Sequence, residues 1–141
     1  MSNDIYKGLK NSRSVFFEAL RSIVNESIPV YNGTVPFING VARVPFVVFG
    51  RDSTNTSVPM LNESNNSNPL IITWNVVVGG DTFNQCEDIA IDIIQKLDMT
   101  TIHDDEKNCK MNTRFVSTSD DVRSEYEIKA LMSVEFQSIL M

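Results

Sequence analysis

The sequence predicts an α+β fold, a mainly antiparallel β-sheet with two α-helices packed on one face. Three observations carry this. Residues 125–137 alternate: Tyr126, Ile128, Ala130, Met132, Val134 and Phe136 face one way, and Glu125, Glu127, Lys129, Ser133, Glu135 and Gln137 the other, with Leu131 the exception. Such alternation is the mark of an antiparallel strand with one wet face. A second strand, Pro69 to Val78, sets Ile72, Trp74, Val76 and Val78 on one face and Ile71, Thr73, Asn75 and Val77 on the other. Directly after it, Phe83, Cys86, Ala90, Ile93, Ile94 and Leu97 recur at offsets of three, four and seven, one stripe of a helix.

In chain order, residues 4–25 read as the first helix. Ile5, Leu9, Phe16, Leu20 and Ile23 keep helical spacing, with Ser12 or Arg13 filling the gap and Phe17 and Val24 widening the stripe. Gly8 and Asn11-Ser12 weaken its start, which places the firm beginning near Ser12 or Ser14, and Pro29 stops it. Ile28 to Tyr31 is a short extended piece closed by the turn dipeptide Asn32-Gly33. Val44 to Phe49 is the next strand, ended by Gly50, with Pro45 at its start because proline offers no ladder donor.

Arg51 to Asn68 is a long polar loop in which only Val58, Met60 and Leu61 interrupt a run of Asn, Ser, Thr and Asp. It buries too little to order itself as core. Two readings stand: a hairpin tip in solvent, or a loop that orders against a partner. Gly79-Gly80 frees the backbone before the second helix, and Asp81 is the expected N-cap. Asp98 to Lys110 reads as a polar connection, Met111 to Ser117 as a short strand, and Thr118 to Arg123 as a turn. The whole, residues 1–141, makes one domain.

Composition narrows the function. The net charge of −6 offers no basic field for nucleic acid or an anionic membrane. No apolar run approaches a membrane span, and Met1-Ser2-Asn3-Asp4 lacks a signal-peptide pattern, so a cytoplasmic site of synthesis is expected. Cys86 and Cys109 make no disulfide framework, and Cys86 lies on the apolar helix stripe. His103, Asp104, Asp105 and Cys109 are metal-ligand types, but their spacing matches no zinc or calcium signature and they read as a solvated acidic loop. Gly79-Gly80 before a helix lacks the lysine and third glycine of a phosphate cradle, and Asp81 would repel an anion. With a single His in the chain and no nucleophile in a recognisable elbow, no enzyme, no catalytic residue and no cofactor is expected. Trp74 is expected in the core, not as a ligand platform. An antiparallel sheet with long edges must cover them, and neighbouring copies are one way to do so.

The order and texture resemble the tail-terminator, or tail-completion, proteins of long-tailed bacteriophages and prophages. The residues that carry the resemblance are Phe16-Phe17-Glu18-Ala19-Leu20, Pro29-Val30-Tyr31-Asn32, and the strand Val44-Pro45-Phe46-Val47-Val48-Phe49-Gly50. They continue with Ile71-Ile72-Thr73-Trp74-Asn75-Val76-Val77-Val78, the helix opened by Gly79-Gly80-Asp81 and holding Cys86-Glu87-Asp88-Ile89-Ala90, and the alternating last strand. The Asn/Ser loop and residues 99–112 depart from that pattern. The resemblance implies a virion protein of the head-proximal tail end, assembled in the bacterial host cytoplasm. It implies a homo-oligomeric, typically hexameric ring that stops polymerisation of the tail tube protein and docks the head-tail connector or stopper protein. No family motif supplies interface residues. The expected contacts are therefore placed on the polar loop, at Arg51, Asp52, Asn55, Met60, Leu61 and Asn65, and at Arg123. Arg51 and Arg123 are candidates to meet a neighbour's acid, and Asp104, Asp105 and Glu106 are expected on the ring surface. The alternatives are a head-completion or connector-stopper neck protein, and a small ligand-binding α+β domain with a concave pocket.

Overall fold

The computed structural model describes residues 2–35, 43–56, 70–121 and 130–140. Helix α1 (Ser2–Ile23) leads into β1 (Val30–Asn32), β2 (Phe46–Thr56) and β3 (Leu70–Gly80). Helix α2 (Phe83–Leu97) follows, then β4 (Thr100–Asp104), a 3-10 turn over Asp105–Lys107, β5 (Cys109–Asp121) and β6 (Ala130–Leu140). The strands form one six-stranded sheet in the order β1-β2-β3-β6-β5-β4. Every pairing is antiparallel except β1 with β2. Both helices cover the same face, as the α+β expectation required.

The reason lies in the pleat. Ile72, Trp74, Val76 and Val78 of β3 and Ala130, Met132, Val134, Phe136 and Leu140 of β6 all point to the helices and are buried. Phe16 and Leu20 of α1 and Cys86, Ala90, Ile93 and Leu97 of α2 close over them. Phe16 stacks on Trp74 with ring centroids 4.2 Å apart. The indole Nε1 donates to Ser138 Oγ at 2.9 Å, and that hydroxyl lies 2.7 Å from Thr113 Oγ1. Burial of an aromatic ring with its polar tip satisfied is the favourable arrangement, and Trp74 is core, as expected. Ser12, not Arg13, fills the gap in the α1 stripe, and its hydroxyl bonds back to Leu9 O at 2.7 Å.

Among the described residues no helix covers the opposite sheet face, and one end of it is packed. There Phe46, packed with Tyr31, Val44, Val48 and Leu131, makes a second small cluster. Phe46 pairs with Gly79, and a Cβ on Gly79 would come within 2.3 Å of the Phe46 ring. That close approach requires glycine.

Several sequence expectations are corrected. Gly79 and Gly80 belong to β3. The turn comes later, and the N-cap of α2 is Thr82, whose hydroxyl accepts from Gln85 N at 3.1 Å, not Asp81. Asp81 instead donates its backbone N–H to Gln85 Oε1 at 2.8 Å. Phe83 lies 38% exposed, outside the buried stripe. Gly50 does not end β2, which runs on to Thr56, so the first third of the polar loop is strand. The connection 98–110 contains β4, and the turn expected at 118–123 is strand as far as Asp121. The remainder of the loop, 57–68, Pro69 at the expected start of the next strand, and residues 122–129 lie outside the described residues.

Candidate interaction surfaces

Of the seven expected contact residues, three fall among the described ones. Arg51 is turned inward: its Nη1 donates to Leu9 O at 3.0 Å and to Ser12 Oγ at 3.2 Å. Burial, with Arg13 nearby, lowers its guanidinium pKa from the ordinary value. Arg51 thus ties β2 to α1 within the subunit. Asp52 is the extra residue of a bulge between Arg51 and Ser53 and is exposed, as is Asn55. Met60, Leu61, Asn65 and Arg123 lie outside the described residues.

The acidic segment at 104–106 is a built turn, not a loose connection. Asp104 Oδ1 accepts from Glu106 N at 3.1 Å, and Asn108, at φ 51°, closes the turn in the left-handed region. Lys107 reaches α1, its Nζ 2.7 Å from Ser14 Oγ, while its carbonyl accepts from Asn11 Nδ2 at 3.0 Å. Asp105 and Glu106 remain exposed, and Asp104 is half-buried. Among the described residues no group of three His, Cys, Asp or Glu side chains is placed to hold a metal ion. Cys86 and Cys109 are free and buried. Burial, reinforced by Asp104, pushes the Cys109 thiol up to about 11, and burial raises Cys86 as well.

Two larger concavities lie among the described residues. One, of about 450 Å³, lies between α1, the end of α2 and β4, with Glu18, Ser22, Lys96 and His103 at its rim. The other, of about 460 Å³, is a groove on the open sheet face lined by Ile71, Met99, Arg114, Gln137 and Ile139. Met99 is 81% exposed and holds φ at 60°, a conformation uncommon for a side chain of its size. Large exposed apolar side chains beside a groove mark a surface for contact more than for chemistry.

The edges of the sheet are the more distinctive feature. β1 covers β2 only over Val47–Phe49, and β4 covers β5 only over Cys109–Thr113. Among the described residues, no strand flanks the outer side of 51–56 in β2 or of 116–121 in β5. The two bare stretches lie on opposite edges and at opposite ends of the sheet.

The fold has solved counterparts. Over 100% of its length this chain matches a chain of the virion of a native gene transfer agent particle. The match covers 95% of that chain, with a TM-score of 0.56 and 12% sequence identity. A second solved structure, whose name states no function, matches over 100% of this chain and 96% of its own, with a TM-score of 0.51 and 11% identity. At such identities the likeness is one of fold. No family model and no curated protein matches the chain.

The sequence missed β4 and the Met99 groove, and it left open where along the sheet the edges lie. Edge strands leave little signal because they bury little, and β4 alternates only between half-buried and exposed positions.

Proposed function

We propose that this chain is a structural virion protein, a tail terminator. It closes the head-proximal end of a bacteriophage tail tube as a ring of identical subunits, most simply six. The ring stops addition of further tube protein and gives the head-tail connector a surface to dock on. The observation that carries this reading is the end-to-end fold likeness to a chain of a virion. The sequence resemblance to tail terminators supports it independently, since it rests on the helix, strand and turn residues and not on the fold comparison.

The physical features of the surface are in keeping with assembly. Bare strand edges are a liability for a lone subunit and an asset for one that joins copies of itself. Each copy carries a net charge of −6, so ring closure works against self-repulsion and is favoured by salt, which screens it. No catalytic or cofactor role is part of this reading.

The test is light scattering of the purified chain, alone and mixed with its tail tubes, with the mixture viewed by negative stain. Rings, or added density on one tube end, are expected. A chain that stays monomeric and leaves both tube ends bare at every salt concentration overturns the reading.

A further inference from the structure

We infer that copies of this chain join with the outer face of helix α2 in one subunit seated on the Met99 groove of the next, Ile91 entering over Ile71 and Ile139, and Glu87 and Asp88 meeting Arg114. The inference rests on the ring reading above and names the two surfaces that would build the ring.

The groove has an apolar floor and a cationic side. Ile71 of β3 stands opposite Ile139 of β6, Ile139 opposite Asn112 of β5, and Asn112 opposite Thr101 of β4. These positions make one row across the sheet, on the face away from the helices: Asn112 and Arg114 are exposed there, while Met111 and Thr113 are buried on the other side. Thr101 Oγ1 donates to Asn112 Oδ1 at 2.6 Å and fixes the β4 end of the row. Ile139 is 38% exposed, and Met99 walls the groove where β4 begins. Arg114, opposite Gln137, is the charged residue among the described lining. Lys110 is exposed on the same face of β5, four residues away. Neither cation forms an ion pair with a described acid. Glu135, also on this face, lies a step further along, opposite Ser117.

Helix α2 carries the complement. Its buried stripe is Cys86, Ala90, Ile93 and Leu97. Turned away from that stripe are Glu87, Asp88 and Ile91, all exposed, with Ile91 at 43%. Glu87 and Asp88 precede Ile91 by four and three residues, so both carboxylates neighbour it on the helix surface. Phe83, one turn before Glu87, adds a second exposed apolar side chain. A protruding aliphatic group between two acids matches an aliphatic floor beside an arginine. Closing the contact buries apolar surface, and exclusion of water strengthens the charge-assisted hydrogen bonds beside it.

The two surfaces meet between copies and not within one. α2 lies on one face of the sheet and the groove on the other, so a single chain cannot bring them together. Like surfaces repel: groove against groove sets Arg114 and Lys110 against their own copies, and helix against helix does the same to Glu87 and Asp88. Charge therefore selects helix against groove. Each copy offers one of each, so the contact is head-to-tail. It closes into a ring when the rotation per contact closes and runs into a filament when it does not. It also gives the neighbour's acid a cation in place of Arg51, which is spent on Leu9 O and Ser12 Oγ.

The test is thiol crosslinking with the full chain on its tail tubes. Ile91→Cys and Ile139→Cys are made separately, and together in one chain, and treated with a short bis-maleimide. Cys86 and Cys109 are buried and do not compete. The mixture of single variants is expected to yield a crosslinked dimer, and the double variant a ladder ending at the ring size. Each single variant alone is expected to stay uncrosslinked. Arg114→Glu added to these chains should abolish both the crosslink and the rings. So should Glu87→Arg with Asp88→Arg. All three reversals in one chain should restore both, which also shows that the reversed chains fold. Rings seen by negative stain without the mixed crosslink, or a crosslink that survives either reversal, overturn the docking and leave the ring reading standing. Self-crosslinking of either single variant means like surfaces in contact, which also overturns it. A parent chain that forms no oligomer on tubes overturns both.

Discussion

The carboxylate of Asp98 accepts a 2.8 Å hydrogen bond from the backbone N–H of Phe115. Asp98 is also the C-cap of α2, its own N–H bonded to Ile94 O. One residue thus ends the helix and takes the place of a strand neighbour on β5, just where β4 stops at Thr100↔Thr113. Beyond this bond the β5 edge is bare among the described residues.

The first prediction concerns that bond. Asp98→Ala leaves the Phe115 N–H without its acceptor at a half-buried position. The expected loss is about 1–3 kcal/mol, the size of a hydrogen bond to a charged group. Asp98→Asn keeps an acceptor oxygen and should lose less than Asp98→Ala. Urea denaturation of the three proteins checks the order. Equal midpoints for parent and Asp98→Ala would show that the bond contributes nothing.

The second prediction concerns Gly79. Gly79→Ala drives a methyl group into the Phe46 ring, which the backbone geometry places 2.3 Å from the new carbon. The ring must turn or the strands must part, at a cost of about 1–3 kcal/mol. Phe46→Leu removes the obstructing ring, so the double variant should be more stable than the two separate losses would sum to. Chemical denaturation of both singles and the double gives the coupling directly. Simple additivity would mean that Phe46 does not constrain Gly79.

The sequence showed most clearly what is buried on one side only. The β6 alternation is legible because Ala130, Met132, Val134 and Phe136 face the helices while Ser133, Glu135 and Gln137 do not. The α2 stripe is legible for the same reason, apart from Phe83 in the first turn. What composition could not show is structure created by a neighbour. Residues 51–56 are polar and read as loop, yet they are strand because Leu70–Trp74 pair with them. Residues 118–121 read as turn for their Ser and Asp content, yet β6 holds them extended. Gly79-Gly80 read as hinge because glycine frees the backbone. The Phe46 ring over Gly79, and Gln85 and Cys86 beside Gly80, give the pair a packing role instead. Arg51 looked available to a neighbour because nothing in the sequence announces that Leu9 O and Ser12 Oγ lie within its reach.

The third prediction concerns the chain of buried polar groups beneath the helices. Ser138 Oγ accepts from Trp74 Nε1 and shares a hydrogen bond with Thr113 Oγ1. Ser138→Ala strands both groups away from water. A buried donor left unpaired costs about 1–3 kcal/mol, and the Thr113 hydroxyl loses its partner as well. Ser138→Ala should therefore be among the more damaging single-atom deletions in the sheet. Trp74 is the only tryptophan, so its fluorescence reports the change without a label. Parent and variant should both emit as a buried indole when folded, with the variant unfolding at lower denaturant. An unchanged midpoint would mean that the hydroxyl chain adds no stability.

The fourth prediction uses the thiol of Cys109. It is buried, and burial together with Asp104 raises its pKa to about 11. In the unfolded chain a thiol titrates near 8.5. The folded state therefore holds this proton more tightly than the unfolded state. Below about pH 8.5 both states keep it, and the thiol has no effect on the pH dependence. As pH rises from there towards about 11, the unfolded state gains from ionising first, and stability falls. Cys109→Ala removes this group. The variant is destabilised at neutral pH by the missing sulfur, but its stability should fall less steeply than the parent's over that alkaline window. Every other group is common to both proteins, so the difference between the two curves isolates the thiol. The same burial makes both cysteines slow to react with a thiol reagent at pH 8 until the protein is unfolded, because the thiolate is the reactive species. Rapid modification of the folded chain, or parallel alkaline curves for parent and variant, would place Cys109 in contact with water.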